Sequence, residues 1–167
     1  KLGPALAAGN AVVLKPAEQS PLTALALAEI LSEAGVPAGW LTVLCGSGPE
    51  LGRALVEHPA VAAVSFTGSP AVGWGIRAAA PRKVVSLELG SNAPLIVHGD
   101  GNWQRAADAA ARHAFSYAGQ SCVSVQRVLV DEAVAEPFER RFVAATEALR
   151  VGDPLDEETD VGPLISA

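Results

Sequence analysis

Two side chains in this sequence have the chemistry of a nucleophile and of a general base. Cys122 lies within residues 119–123, Gly-Gln-Ser-Cys-Val, where a glycine turn could expose the sulfur to backbone N–H groups that favour the thiolate. Glu88 interrupts the apolar run 84–90, and a carboxylate in such a run needs a partner or a catalytic use. Taken alone, Cys122 has the simpler interpretation of a small buried hydrophobic side chain.

A second set of polar residues follows expected strands. Lys15 closes one strand and Glu18 lies in the turn before the next helix, where such a pair could hold ribose hydroxyls. Gly68 and Ser69 end another strand and open a helix, so N–H groups and a hydroxyl there could bind a phosphate. A solvated lysine, a first-turn glutamate and an ordinary N-cap are the simpler alternatives.

Other candidate motifs are weaker. Residues 46–52 are rich in glycine, but their spacing does not fit a dinucleotide fingerprint, so they are interpreted as a strand-to-helix turn. Cys45 ends an apolar strand and is expected to be buried. With Cys122 it forms no Cys-x-x-Cys pair, and the scattered histidines add no metal spacing, so no metal site is predicted.

Composition excludes several function classes. The chain has 167 residues, 50% of them hydrophobic and 18% charged, so it can build a core. The net charge of −6 and the absence of a basic run argue against nucleic-acid binding. The longest uncharged stretch, 59–76, is broken by glycine and proline, which argues against a membrane span. Two unpaired cysteines and no signal peptide predict a cytoplasmic location.

The elements that must position these residues alternate between short apolar strands and helices. This alternation predicts an α/β fold with a mostly parallel, three-layer arrangement. Two strands in succession near residue 90 break the alternation, which places a domain boundary between residues 1–89 and 90–167. The chain contains no Met and opens on Lys1 in mid-pattern, so we expect a piece of a longer protein.

In combination, the motifs resemble the aldehyde dehydrogenase family. The order of Leu-Lys-Pro-Ala-Glu (14–18), Phe-Thr-Gly-Ser (66–69), Leu-Glu-Leu-Gly (87–90) and Gly-Gln-Ser-Cys (119–122) is similar to that family's, as is the spacing from Glu88 to Cys122. Gly-Asp-Pro (152–154) and Gly-Pro (162–163) continue the likeness, so the resemblance covers essentially the whole chain.

The resemblance implies a role for each residue. Cys122 would attack the aldehyde, hydride would pass to NAD, or to NADP, and Glu88 would activate water to hydrolyse the thioester. Residues 1–89 would be the later part of a Rossmann-like cofactor domain and 90–167 the start of the catalytic domain. The full-length protein is expected to be a homo-oligomer. The residues implied to bind the cofactor are Lys15, Glu18, Gly68, Ser69, Gly73, Leu89 and Gly90.

Three questions stay open from the sequence. The chain could be an inactive fragment with weak nucleotide binding, or a relative that passes its acyl group to coenzyme A, although Glu88 argues against the latter. Residues 117–127 look closer to lactaldehyde-type and non-phosphorylating glyceraldehyde-3-phosphate-type members. Ser91 stands where many members have glycine, and it is interpreted as a subfamily feature without a mechanistic role.

Overall fold

The computed structural model describes residues 1–166, in which helices and short strands alternate. Two short helical turns of other types accompany them, a π-helical turn at Gly48–Gly52 and a 3-10 turn at Ser116–Gly119. In chain order the elements are α1 (Leu2–Ala7), β1 (Val12–Leu14), α2 (Leu22–Glu33), β2 (Leu41–Val43), α3 (Arg53–Glu57), β3 (Ala63–Thr67), α4 (Pro70–Ala79), β4 (Val84–Glu88), β5 (Ala93–Val97), α5 (Trp103–Phe115), β6 (Val125–Val130) and α6 (Glu132–Glu147).

The strands form parallel pairs, β1 with β2, β3 with β4 and β5 with β6. A helix lies between the two strands of each pair in the sequence, as parallel pairing requires. The register aligns Leu14 with Val43, Thr67 with Glu88, and Val97 with Val130. The prediction of an α/β fold with parallel strands is therefore confirmed.

The chain divides into two compact units, Lys1–Glu88 and a second unit that begins at Leu89. The first contains β1 to β4 and the second β5, β6 and the two long helices α5 and α6. The assignment of 1–89 to a cofactor domain and of 90–167 to a catalytic domain remains a prediction.

The second unit has a distinct apolar core. Ala107 and Ala110 on α5 are almost completely buried, and their small side chains let α6 approach closely. On α6, Val134 and Phe138 fill the space, and Phe138 stacks on Phe142 with ring centroids 6.1 Å apart. This core therefore packs both helices against β5 and β6.

The helices of the first unit begin in different ways. Helix α1 has six residues that include glycine, proline and alanine and form no amphipathic stripe. Pro21 is the N-cap of α2, and no side-chain hydrogen bond caps this helix. The π-helical turn Gly48–Gly52 directly precedes α3.

Apolar side chains remain on the surface of both units. Leu22 is 77% exposed in the first unit, and Ile96 is 73% exposed in the second. None of the helices within residues 1–166 combines the length and the apolar character that crossing a membrane requires.

Candidate functional site

The Cys122 side chain is exposed on a tight turn between α5 and β6. The Ser124 N–H donates to the Ser121 carbonyl at 3.0 Å and closes the turn. Cys122 is therefore not the buried hydrophobic residue that its type alone suggests. An exposed thiol on a turn can reach a small electrophile.

Three side-chain hydrogen bonds connect this turn to the rest of the second unit. The buried Ser124 hydroxyl donates to the Ala114 carbonyl at 2.9 Å, beside the end of α5. The Gln120 side-chain oxygen accepts from the Ile165 N–H at 3.1 Å, and the Ser91 hydroxyl donates to the Cys122 carbonyl at 2.5 Å. The turn is therefore held on both sides of the thiol and at the cysteine itself.

The approach to the turn has an unusual backbone. Tyr117 and Ala118 have φ values of 53° and 54°, and Gly119 follows with a φ of 75°. Left-handed conformations are costly for residues with a Cβ atom. At Gly119 a Cβ would also lie 3.2 Å from the Ala114 carbonyl oxygen, so glycine is the residue that fits.

The carboxyl ends of β3 and β4 bring two of the sequence motifs together. Glu88 is the last residue of β4, aligned with Thr67, and its carbonyl accepts from the Gly68 N–H at 3.1 Å. Glu88 is exposed in the described structure. A Cβ at Gly68 would lie 2.5 Å from the tip of the Phe66 ring, so a side chain there would require the ring to shift.

The other residues of these motifs lie nearby in the fold. Ser69 caps α4, with its hydroxyl accepting from the Val72 N–H at 3.5 Å, which is the ordinary N-cap of the simpler interpretation. Gly73 is buried one turn into α4, and its N–H donates to the Ser69 carbonyl at 3.0 Å. Leu89 and Gly90 directly follow β4, with Leu89 half-buried and Gly90 exposed.

Lys15 and Glu18 both contact the loop that follows β2. The Lys15 ammonium donates to the Pro16 carbonyl at 2.7 Å and to the Gly46 carbonyl at 3.3 Å. The Glu18 carboxylate accepts from the Gly48 N–H at 2.6 Å. Both side chains therefore bind backbone groups, and each of them reaches the loop after β2.

These contacts border a shallow pocket that sequence reasoning missed. Cys45 was expected to be buried, but it is exposed and lines the pocket, because β2 ends at Val43 and leaves Cys45 in the loop. Ser47 caps the π-helical turn by accepting from the Glu50 N–H at 3.3 Å. The pocket is lined by Pro16, Ala17, Glu18, Pro21, Cys45, Gly46 and Ser47.

Comparison with known proteins decides the family. The sequence model described as "Aldehyde dehydrogenase family" matches residues 1–167. The chain belongs to the aldehyde dehydrogenase family. The resemblance that the motifs carry is therefore confirmed.

The chain is similar to named dehydrogenases and to solved structures of dehydrogenases. A 3-sulfolactaldehyde dehydrogenase of Priestia aryabhattai is 52% identical over 165 residues, which cover 99% of this chain and 35% of the relative. Glyceraldehyde-3-phosphate dehydrogenase GapN of Methanocaldococcus jannaschii, solved with NADP, has a TM-score of 0.89 at 44% identity, covering 99% of this chain and 37% of that one. The chain thus spans about a third of the length of these relatives.

A third relative was solved with the other cofactor. A mutant of aldehyde dehydrogenase AldC from Pseudomonas syringae, solved with NAD+ and octanal, has a TM-score of 0.90 at 38% identity. The alignment covers 100% of this chain and 35% of the AldC chain. These likenesses confirm the Rossmann-like α/β fold of the aldehyde dehydrogenase chain, while the roles of its individual site residues remain predictions.

Proposed function

We propose that this chain is the part of an NAD(P)-dependent aldehyde dehydrogenase that carries the nucleophile Cys122 and the general base Glu88. The observation that carries the proposal is an exposed thiol on a fastened turn, in a chain that belongs to this family. A thiol is well suited to the chemistry, since a covalent intermediate divides one difficult step into two easier ones.

The proposed reaction follows from the two side chains. Cys122 Sγ forms a bond to the aldehyde carbon, and the carbonyl oxygen takes up the electron pair. The C–H bond of this carbon then breaks and the electron pair on oxygen re-forms the C=O bond, which gives a thioester on Cys122. NAD(P), when bound, would supply the acceptor for the departing hydride. Glu88 then takes a proton from water, whose oxygen attacks the thioester, and the bond to Sγ breaks to release a carboxylic acid.

Residues at two places in the first unit have the chemistry to hold a dinucleotide. Glu18 can accept hydrogen bonds from ribose hydroxyls, and Lys15 lies beside it on the same loop. Gly68 and Ser69 lie at the N-terminus of α4, where N–H groups favour phosphate. Because the Glu18 carboxylate would repel a 2′-phosphate, we propose NAD as the preferred cofactor, with NADP as the alternative that the GapN relative supports.

The substrate proposal is a short 2-hydroxyaldehyde with a terminal anionic group. It is supported by relatives named for 3-sulfolactaldehyde and for glyceraldehyde-3-phosphate. In the full-length protein we expect kcat/KM for glyceraldehyde-3-phosphate to exceed that for octanal by about tenfold or more. A preference for octanal would contradict this proposal.

Peptide-resolved alkylation tests the proposed nucleophile. Cys122 and Cys45 are both exposed, so Cys45 serves as a reference in the same molecule. We expect iodoacetamide to label Cys122 faster than Cys45, and NAD to change the Cys122 rate more than NADP at equal concentration. Equal rates at both thiols would contradict the proposal, and so would aldehyde oxidation that persists after Cys122→Ala in the full-length protein.

The two alternatives from the sequence remain outcomes of turnover assays. Absence of cofactor reduction by the 167-residue chain, with activity in the full-length protein, would identify this piece as inactive by itself. Formation of acyl-coenzyme A instead of free acid would show that the thioester is passed to coenzyme A, and would contradict the role proposed for Glu88.

A further inference from the structure

We infer that Ser91 is a positioning residue for the Cys122 nucleophile, an inference that rests on the proposed function. Its hydroxyl donates to the Cys122 carbonyl at 2.5 Å, although the two residues lie 31 positions apart in the sequence. The hydroxyl thereby fixes the peptide group next to the thiol and holds the turn in the conformation that presents Sγ.

The other side-chain hydrogen bonds of the turn do not reach the Cys122 backbone, which the Ser124–Ser121 bond spans without contacting. The Ser124–Ala114 and Gln120–Ile165 bonds hold residues on either side of Cys122. Among the hydrogen bonds within residues 1–166, the bond from Ser91 is the one made by the backbone of Cys122 itself. Removal of the Ser91 hydroxyl would therefore loosen the backbone at Cys122, while the hydrogen bonds of Gln120 and Ser124 would remain.

A hydroxyl side chain at this position is required for the arrangement. A glycine, which the family resemblance implies for many members, has no side chain and could not make the bond. Ser91 and Cys122 both belong to the second unit, so the contact does not depend on the first. The residue that the sequence suggested to be a neutral subfamily feature therefore acts on the nucleophile.

Hydrogen exchange and peptide-resolved thiol alkylation of the full-length protein test this inference. Ser91→Ala removes the hydroxyl and Ser91→Thr keeps it. Thr146→Val is the matched control, because Thr146 on α6 makes the same type of bond, to the Phe142 carbonyl at 2.8 Å, away from the thiol. The readouts are exchange of the Ser124 amide, the ratio of alkylation rates at Cys122 and Cys45, and the urea midpoint.

For Ser91→Ala we expect the Ser124 amide to exchange about two- to tenfold faster, as loss of one net hydrogen bond implies. The Cys122 alkylation rate should fall by a similar factor while the Cys45 rate stays constant. Ser91→Thr should retain the parent values, and Thr146→Val should change neither readout at the turn.

Two results would overturn the inference. The first leaves the proposed function intact, and the second contradicts it as well. If Cys122 is the faster thiol in the parent chain and Ser91→Ala changes neither its rate nor the Ser124 exchange, Ser91 has no positioning role and the proposed function stands. If Cys122 is no faster than Cys45 in the parent chain, the proposed function fails, and faster exchange in Ser91→Ala would then show a purely structural anchor.

Discussion

Single residues at the ends of the strands give the sharpest tests of the proposed chemistry. Glu88 is exposed at the end of β4, with its backbone fixed by the bond to the Gly68 N–H. This bond is made by the Glu88 backbone carbonyl and not by its side chain. Replacement of the side chain should therefore leave β4 intact. The carboxylate can therefore be tested separately from the fold.

For Glu88→Gln in the full-length protein we expect turnover to fall by roughly 10²- to 10⁴-fold, because water is no longer activated by a base. The acyl group should then accumulate on Cys122 and appear as a mass increase on its peptide. Glu29→Gln on α2 is the matched control and should leave turnover unchanged. Normal turnover in Glu88→Gln would contradict the assigned role.

Gly68 is a second test at the residue scale. Gly68→Ala would place a Cβ 2.5 Å from the Phe66 ring, so the ring must leave its position, and we expect a loss of about 1–3 kcal/mol in the free energy of unfolding. Urea titration measures the change. Gly75→Ala is the control, because Gly75 lies within α4 with nothing within 4 Å of an added Cβ, and it should be neutral or stabilising. Equal stability of the two variants would contradict this account.

At the scale of elements, a cluster of charges joins the carboxyl ends of β5 and β6. His98 Nδ1 lies 2.9 Å from Asp100, and its Nε2 lies 3.8 Å from Asp131. Asp131 also caps α6, accepting from the Ala133 N–H at 3.0 Å, and receives the Gly99 N–H at 3.2 Å. The cluster therefore connects two strand ends to the start of a helix.

This cluster predicts that the stability of the second unit depends on pH. The hydrogen bond to Asp100, together with the negative charges of Asp100 and Asp131, raises the pKa of His98 above 6.5. A raised pKa means that protonated His98 stabilises the fold fully below pH 6.5, and that this contribution is lost as pH rises through the folded-state value. The bonds from the Ala133 and Gly99 N–H groups lower the pKa of Asp131 below 3.8, so its contribution is lost only in acid.

We therefore expect His98→Gln to be less stable than the parent at about pH 5.5 and to approach it at about pH 8.5. Urea midpoints at the two pH values measure the difference. Gln104→Ala, at an exposed position on α5 without a titratable group, is the control and should shift the midpoint equally at both pH values. If the urea midpoints of His98→Gln and the parent differ by the same amount at both pH values, protonated His98 does not stabilise the second unit.

At the scale of the whole molecule, the division into two units predicts separable stability. Phe138 is 4% exposed in the core of the second unit, so Phe138→Ala should cost about 3–5 kcal/mol there. If the units are separate domains, amide exchange should rise in α5 and α6 while β3 and β4 keep their protection. Val143→Ala, at an exposed position on α6, is the control and should change little. A uniform rise across both units would contradict the proposed boundary.

The fold class and the family could be predicted from the sequence, because both depend on patterns of neighbouring residues. Alternating apolar strands and helices dictated the α/β class and the parallel pairing, since short apolar strands joined by helices pack in few other ways. The motifs around Lys15, Ser69, Glu88 and Cys122 indicated the family before any contact was known. Ser69 capped its helix as local chemistry dictates.

The tertiary structure alone decided two kinds of feature. One is the contacts between residues distant in sequence, and the other is the backbone conformations that residue type does not predict. The bonds from Ser91 to Cys122 and from Gly48 to Glu18 join positions 30 or more apart. The left-handed Tyr117 and Ala118 and the exposed Cys45 also contradict the usual preferences of their types. Local sequence sets which conformations and partners each residue favours, whereas packing of the whole chain selects the ones it adopts.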